Sequence, residues 1–289
     1  MTERHNNQAG WSQRWPAPAK LKLMLRKVGR REDGYHLLQT VFQIIDLCDW
    51  LTFTPLQEDR VALEQPIPGV AEQEDLTVRA ANLLKKETGF RGGVRIAMQK
   101  NLPMGGGLGG GSSDAATTLL VLNALWNLGL SQPHLMKLGV QLGADVPVFI
   151  YGHSAWAEGV GEFLQIMTLP EQWFVIIKPE CHVATQAIFS AENLTRNSKP
   201  IRIDDFIAGD WRNDCLDVVR AHYRPVDEAL RALDRYGKAR LTGTGACVFV
   251  QFADKAAAEK ARQALGKDWQ VYMAKGLAVS PLLQQLNIK

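Results

Sequence analysis

Apolar and polar residues alternate along "AKLKLMLRKV" (residues 19–28), which is typical of a strand with one buried face. The alternation places Lys20 and Lys22 on one face. The other face carries three leucines, Leu21, Leu23 and Leu25. Turn residues follow in "GRREDGYH" (29–36), and "LLQTVFQIIDLCDWLTFTPL" (37–56) returns as strand. The chain is therefore expected to begin with a long antiparallel hairpin.

Helical and extended patterns then alternate to the end of the chain. A helix is predicted over residues 74–89, a strand over 94–99, and a helix from Ala115 with N-cap types at 112–114. Ser131 caps the next predicted helix, and residues 145–162 are predicted to be extended or turning. From about residue 171 the patterns predict strands at 173–178, 238–252 and 269–275 and helices at 226–237 and 254–266. This order indicates an α+β fold in two halves.

A chain of 289 residues is long enough for two domains of about 150 residues each. We expect a mobile N-terminal extension at 1–14, a first domain at 15–165 and a second at 166–289. The net charge of +3 is too small to favour nucleic acid or a membrane surface as partner, but it suits an anionic small molecule. Four widely separated cysteines and the lack of an apolar leader indicate a cytoplasmic protein with reduced thiols.

Six glycines lie between Gly105 and Gly111 in "LPMGGGLGGGSSDAA", directly before a predicted helix. Glycine loops that lead into a helix N-terminus expose N–H groups to an anion. A dinucleotide fingerprint needs an acidic residue about 20 residues on, and none lies between Asp114 and Asp145. A P-loop needs a lysine followed by Ser or Thr after the glycines, and this chain has none there. A flexible linker is also disfavoured, because linkers seldom join a strand to a capped helix. We therefore predict a phosphate-holding loop of another kind.

Two charged residues admit both a structural and a chemical interpretation. Asp145, in "QLGADVPVFI", is either the N-cap of a short turn or a general base that takes a proton from a substrate hydroxyl. Lys20 belongs either to a solvated strand face or to the group that neutralises a transferred phosphoryl.

Two further motifs are open in the same way. Tyr35 and His36 form part of a hairpin turn or bind a nucleobase by stacking and by reading its edge. "LTGTGACVFV" (241–250) is a tight hairpin or a second glycine turn that approaches a phosphate.

Six blocks together resemble the GHMP kinases, named for galactokinase, homoserine kinase, mevalonate kinase and phosphomevalonate kinase. The blocks are "PAPAKLKL", "GRREDGYHLLQTVFQ", "LPMGGGLGGGSSDAA", "LGADVPVF", "AWAEGVGE" and "LTGTGACVF". The resemblance runs from Trp15 to Pro281 and implies a two-domain α+β fold. Its ATP-binding half is like the second domain of ribosomal protein S5 and its other half is ferredoxin-like. It implies a monomer or homodimer that phosphorylates an alcohol of a small cytidine-diphosphate-linked substrate with ATP and Mg²⁺.

The resemblance also implies roles for individual residues. Asp145 would be the base and Lys20 its positive neighbour. The cofactor-binding residues would be Lys100, near the adenine, and those around the phosphates: Pro103, Met104, Gly105, Gly106, Gly107, Leu108, Gly109, Gly110, Gly111, Ser112 and Ser113. The substrate-binding residues would be Lys22, Tyr35, His36, Thr185 and Phe189, with Tyr35 and Phe189 on the two faces of the cytosine. No metal ligands of the protein's own are predicted, and the family pattern has Asn at the positions of Lys22 and Asp75.

Three other interpretations remain open on the sequence alone. The chain could be a GHMP kinase for another small alcohol, such as mevalonate or homoserine, although the Tyr35–His36 pair then has no base to bind. It could be a nucleotide-binding relative that has lost catalysis, or a ribosome-associated module, for which the small positive charge gives little support.

Overall fold

The structure, a computed structural model, describes residues 8–30 and 36–288. The strands of this part of the chain are β1 (Arg14–Arg30), β2 (His36–Leu56), β3 (Val61–Leu63), β4 (Gly93–Gln99), β5 (Ala155–Glu158), β6 (Phe163–Ile166), β7 (Trp173–Lys178), β8 (Arg240–Leu241), β9 (Val248–Phe252) and β10 (Gln270–Leu277). The helices are α1 (Gln8–Trp11), α2 (Leu76–Thr88), α3 (Gly110–Leu125), α4 (Gln132–Val140), α5 (Val146–Tyr151), α6 (Thr185–Ser190), α7 (Ile203–Ile207), α8 (Leu216–His222), α9 (Arg224–Leu233), α10 (Lys255–Leu265) and α11 (Pro281–Gln285).

The predicted N-terminal hairpin is confirmed, but its register corrects one expectation. β1 and β2 pair antiparallel along nearly their whole length, with register shifts that include one between Lys22 and Met24. Such a bulge inserts an extra residue and changes which side chains share a face. Leu25 therefore lines the same cleft as Lys20 and Lys22, and its placement on the opposite face was wrong.

The second half has the ferredoxin-like arrangement. Its strands follow the order β10-β7-β9-β8, and all neighbours are antiparallel. β10, the last strand in sequence, therefore lies at one edge of this half, directly beside β7, the first strand. At that edge β10 pairs with β2 through Gly276 with Ile45 and Leu277 with Ile44. One continuous sheet therefore crosses from the first half to the second.

Three apolar cores support this sheet. The first packs α2, α3, α4 and α5 on the N-terminal strands and takes in Leu282 and Leu283 of α11. The second packs α8, α9 and α10 on the sheet of the C-terminal half. The third contains Leu21, Trp156 and Phe249 and fills the junction between the halves. Among the described residues, no helix has both the length and the apolar character needed to cross a bilayer.

Two helix boundaries differ from the sequence prediction. The helix after the glycine loop begins at Gly110, with the left-handed Gly109 before it, so residues 112–114 lie inside the helix and do not cap it. Residues Val146–Tyr151, expected to be extended or turning, form α5. That segment is buried and apolar on all sides, so it has no periodicity by which a helix could be recognised.

Candidate active site

Two cavities meet at the glycine loop. The larger, of about 1440 Å³, lies between the two halves and is lined by residues of β1, α6 and both glycine turns. The smaller, of about 390 Å³, extends over the glycine loop towards the start of α2. Both are lined by Gly105, Gly107, Ser112 and Asp145. The two cavities therefore adjoin at the Asp145 carboxylate.

The glycine loop adopts a backbone that other residues rarely accept. Gly105, Gly107 and Gly109 have φ of 66°, 76° and 80°. A Cβ on Gly107 would lie 2.8 Å from the carbonyl oxygens of Gly245 and Thr242. Absence of side chains here is therefore required by the backbone angles and by the close approach of a second loop.

That second loop is the turn between β8 and β9, and it fixes the glycine loop in place. The Cys247 N–H donates to the Gly106 carbonyl at 3.0 Å, and the Thr242 hydroxyl donates to the Gly107 carbonyl at 3.4 Å. The same Thr242 hydroxyl accepts from the Lys22 N–H at 3.0 Å. The two glycine turns that the sequence singled out are thus packed against each other.

Asp145 lies between two lysines of β1. Its Oδ2 is 3.1 Å from the Nζ of Lys20, and its Oδ1 is 3.1 Å from the Nζ of Lys22. Asp145 precedes α5, but its side chain makes no capping hydrogen bond. The carboxylate is about a quarter exposed (24%) at the wall of the cleft. Its contacts therefore favour the chemical interpretation over the structural one.

The electrostatics of this triad keep the carboxylate ionised. Burial alone would raise the pKa of Asp145, but the ammonium groups of Lys20 and Lys22 outweigh it and hold that pKa well below its ordinary value. Burial lowers the pKa of Lys20, and the attraction of Asp145 opposes this. Lys20 also donates a hydrogen bond of 2.8 Å to the Gly107 carbonyl. The buried cation therefore has two oxygen partners.

A second buried charge cluster lies beside the smaller cavity. The Nζ of Lys100 pairs with the carboxylates of Asp49 and Asp114, the latter at 2.5 Å. Burial raises the pKa of Asp114 to about 7 although Lys100 opposes the shift, and Oδ1 of Asp114 has no hydrogen-bond partner within the described ranges. Asp49 also accepts from the N–H groups of Asn101 and Leu102, at 2.6 and 2.8 Å. The cluster therefore fixes the segment that leads into the glycine loop.

Asp75 has a structural role at the edge of the same cavity. It is the N-cap of α2, and its Oδ1 accepts from the Thr77 N–H at 2.8 Å and the Val78 N–H at 3.4 Å. The carboxylate oxygen that makes these bonds is directed at the helix N-terminus.

The larger cleft brings together most of the residues predicted to bind the substrate. His36, Thr185 and Phe189 line it with Lys22. The rings of His36 and Phe189 are 5.6 Å apart and inclined at 67°. The Thr185 and Thr244 hydroxyls are hydrogen-bonded at 3.0 Å. Tyr35, the other predicted stacking residue, lies outside the described residues.

Sequence reasoning missed three groups at the site. Asp49 and Asp114 form the cluster with Lys100, and Thr242 joins the two glycine turns. Asp49 lies among apolar residues in "LCDWL" (47–51), and a buried acid is expected to have a charged or hydrogen-bonding partner. Nothing local to Thr242 could show which loop it would meet.

Known proteins resemble the chain along most of its length. The profile of the GHMP kinases N terminal domain matches residues 75–153, and that of the GHMP kinases C terminal matches residues 192–271. The 4-diphosphocytidyl-2-C-methyl-D-erythritol kinase of Methylococcus capsulatus is 54% identical over 277 residues, covering 96% of this chain and 95% of that protein. The enzyme of the same name from Nitrosococcus oceani is 53% identical over 273 residues, covering 94% and 98%.

Solved structures agree with these relatives. A crystal structure of 4-(cytidine 5'-diphospho)-2C-methyl-D-erythritol kinase superposes with a TM-score of 0.79 at 32% identity, covering 91% of this chain and 99% of that one. A mevalonate kinase superposes with a TM-score of 0.67 at 15% identity, covering 92% and 99%, which shows a shared fold. The chain belongs to the GHMP kinases, and among them to the family of the 4-diphosphocytidyl-2-C-methyl-D-erythritol kinases.

Proposed function

We propose that the chain transfers the γ-phosphoryl group of ATP to the 2-hydroxyl of 4-diphosphocytidyl-2-C-methyl-D-erythritol, giving the 2-phosphate and ADP. The reaction belongs to non-mevalonate isoprenoid precursor biosynthesis. Relatives about half identical over nearly the whole chain carry the name of this enzyme. The observation that carries the mechanism is the Asp145 carboxylate, held between two ammonium groups where the two cavities meet.

Asp145 is proposed as the general base. A tertiary alcohol is a crowded nucleophile, so it must be aligned with the γ-phosphorus and lose its proton as the new O–P bond forms. A carboxylate with a depressed pKa is a weak base, but it remains ionised and accepts the proton late in the transfer. The proton then lies on Asp145, and the ADP oxygen leaves with the electrons of the broken P–O bond.

Lys20 is proposed to neutralise charge on the transferred phosphoryl group and to orient Asp145. Its ammonium already contacts both the carboxylate and the glycine loop. Phosphoryl transfer depends mainly on positioning and charge stabilisation, so a cation fixed at this point acts on the step directly. Lys22 is proposed to lie beside the acceptor, where its ammonium contacts Asp145 from the other side.

The smaller cavity is proposed to hold ATP. Residues 103–113 form the loop and the N-terminus of α3, where the backbone N–H groups of residues 104–113 would bind the phosphates, and Lys100 would lie towards the adenine. Residues 67–77 at the other end of the cavity supply apolar surface and the start of α2. No P-loop lysine is present, so the loop amides and Lys20 share the compensation of charge.

Mg²⁺ is proposed to arrive with ATP. No group of three acidic, His or Cys side chains suited to a metal occurs among residues 8–30 and 36–288. Both oxygens of Asp145 are already engaged by lysines, and Ser112 is the other side chain with an oxygen that lines both cavities. This fits an ion held mainly by phosphates and water, and such an ion would supply further charge neutralisation.

The larger cleft is proposed to hold the acceptor. Phe189 and Tyr35 would stack on the cytosine, His36 would bind its edge, and Thr185 would contact the substrate. Burial, with Lys27, Arg196 and Arg30 nearby, lowers the pKa of His36, so that its ring is neutral and offers one donor and one acceptor. The protein is proposed to work in the cytoplasm as a monomer or homodimer.

The test is ADP release by the purified protein with ATP, Mg²⁺ and each of three acceptors. Turnover is expected with 4-diphosphocytidyl-2-C-methyl-D-erythritol and not with mevalonate or homoserine. Asp145→Asn should reduce kcat by about 10²–10⁴-fold, because the base is lost while the shape is kept. Asp217→Asn, at an exposed position of α8, is the matched control, and its kcat should equal that of the unmodified protein. Turnover of mevalonate, or full activity of Asp145→Asn, would contradict the proposal.

A further inference from the structure

Lys27 carries a buried ammonium whose partner is an aromatic ring. The residue is 1% exposed, and its Nζ makes no hydrogen bond with any residue of the described ranges. The Nζ lies 3.4 Å from the centroid of the Phe189 ring. Burial of an unpaired cation is costly, and the face of a ring is one of the few apolar surfaces that attract it.

The Asp214 carboxylate makes no ion pair with this cation and stabilises it only from a distance. Asp214 accepts from the Lys27 backbone N–H at 2.7 Å, from the Ser198 hydroxyl at 2.7 Å and from the Arg212 Nε at 2.5 Å. These bonds fix the main chain of β1 at Lys27 and engage both oxygens of Asp214. The Phe189 ring is therefore the group in direct contact with the side-chain ammonium.

The charged and titratable groups that interact with the Lys27 ammonium are Lys22, His36, Arg196, Asp214 and Cys215. Burial is the main cause that lowers the pKa of Lys27 to about 8; Arg196 and Lys22 lower it further, while the Asp214 carboxylate opposes the shift. Burial raises the pKa of the Cys215 thiol to about 11, so that this neighbour is neutral near pH 8. Lys27 is accordingly expected to change charge just above neutral pH.

Phe189 connects this buried cation to the cleft. Its side chain is half-buried and lines the large cavity together with His36. The Arg196 guanidinium donates to the carbonyls of Phe189 and Ala191, at 3.1 and 2.7 Å, and holds the end of α6. The backbone carbonyl of Phe189 is thus bound by Arg196, and its ring is in contact with the Lys27 ammonium.

We propose that Lys27 is a positioning residue for nucleobase binding: its ammonium holds the Phe189 ring in the wall of the cleft, so that the ring is in place before the base arrives. The inference rests on the proposed function, in which Phe189 stacks on the cytosine. If the ring rotated away, the buried ammonium would lose its partner, so rotation is opposed by the desolvated charge. A ring held in advance costs less ordering when the ligand binds.

The test is titration calorimetry with cytidine 5′-diphosphate, a probe that needs no turnover. Lys27→Met keeps the length of the side chain and removes its charge. The dissociation constant should rise about 3–10-fold, the range expected for loss of a partly desolvated cation–π contact. Thermal unfolding should occur at a higher temperature, because an unpaired buried charge is gone. Weaker binding in a more stable protein cannot come from misfolding.

The pH dependence is the second readout. Binding by the unmodified protein should weaken between about pH 7.5 and about pH 9.5, as Lys27 loses its proton. The dissociation constant of Lys27→Met should not change over this pH range. Lys27→Arg should keep tight binding up to about pH 9.5, because its guanidinium stays charged. Lys255→Met is the matched control, because Lys255 lies 5.1 Å over the Trp173 ring outside the cleft.

The inference is overturned if Lys27→Met binds the probe as tightly as the unmodified protein, or if both have the same pH profile. Steady-state kinetics separate this result from failure of the proposed reaction. KM for the cytidylated acceptor should rise about 3–10-fold in Lys27→Met with kcat nearly unchanged. Loss of probe affinity without any turnover by the unmodified protein would support the role of Lys27 and contradict the proposed reaction alone.

Discussion

The ammonium of Lys20 donates a hydrogen bond of 2.8 Å to the backbone carbonyl of Gly107. The same ammonium is 3.1 Å from the Asp145 carboxylate. One side chain therefore ties the loop proposed to hold the donor phosphates to the carboxylate proposed to activate the acceptor. Displacement of either partner would change the distance across which the phosphoryl group moves.

Lys20 and Lys22 should differ in what their loss affects. Lys20→Met removes the contact with the loop and the contact with Asp145, so kcat should fall about 10²–10³-fold and KM for ATP should rise. Lys22→Met removes the contact with Asp145 and the approach of the ammonium to the Phe42 ring, but leaves the bond of Lys20 to the glycine loop in place. Its kcat should fall by about 10-fold, with KM for ATP unchanged. Steady-state kinetics with each substrate varied would measure both, and an equal rise of KM for ATP in both variants would contradict this division.

The close approach of the two glycine turns predicts a defect specific to Gly107. Gly107→Ala would place its Cβ 2.8 Å from two backbone oxygens at a φ of 76°. KM for ATP should rise at least about 10-fold, because the loop must move, and stability should fall by about 1–3 kcal/mol.

Gly129→Ala is the matched control for Gly107→Ala. Gly129 has a φ of 70° with no atom near its Cβ position, so the backbone strain is similar and no clash occurs. Its stability should fall by about 1 kcal/mol with KM for ATP unchanged. A defect in ATP binding in both variants would show that strain alone, and not the packing of the loops, is responsible.

Stability should depend on the charge of Asp114. Burial raises its pKa to about 7 from the model-compound value of 3.8. The stabilisation given by the protonated form is present below the unfolded pKa and is lost as the pH rises through about 7. Between about pH 5.5 and about pH 8.5 the free energy of unfolding should fall by about 2 kcal/mol relative to Asp114→Asn. Urea denaturation of both proteins would measure this, and a constant difference would refute it.

Asp75 should be replaceable by Asn but not by Ala. Its carboxylate caps α2, and Asn caps helices about as well as Asp. Asp75→Asn should therefore change the free energy of unfolding by less than about 0.5 kcal/mol, whereas Asp75→Ala should cost about 1 kcal/mol. Equal effects in the two variants would mean that the carboxylate does not act as a cap.

The elements that could be predicted from the sequence are those with clear periodicity. The long hairpin, α2 and α4 follow from alternation, amphipathic spacing and caps, and they are confirmed. Ser131 caps α4 as expected. α5 was missed because a fully buried helix has no polar face, and the start of α3 was misplaced because the loop ends in a left-handed glycine.

The site residues could be selected from the sequence, but their partners could not. Asp145 and Lys20 were chosen by motif and face, and the structure brings them together. Lys27 was not considered, because strict alternation does not place it on the face of Lys20. The bulge after Lys22 that changes this alternation could not be predicted from the sequence. The roles proposed for the site residues remain predictions that the experiments above test.

The sheet that continues from β2 into β10 has a consequence for how ligands enter and leave. Its hydrogen bonds and the apolar core at the junction cross from one half to the other, so a clamshell motion of two lobes would have to break both. We therefore expect exchange of ADP for ATP to involve only small movements of the loops at the rim, residues 103–109 and 243–245, which line the cavities without belonging to the sheet. Lys20 and Lys22, the lysines proposed to act in the reaction, lie on a strand of this sheet, so we expect them to keep their positions when the rim loops move.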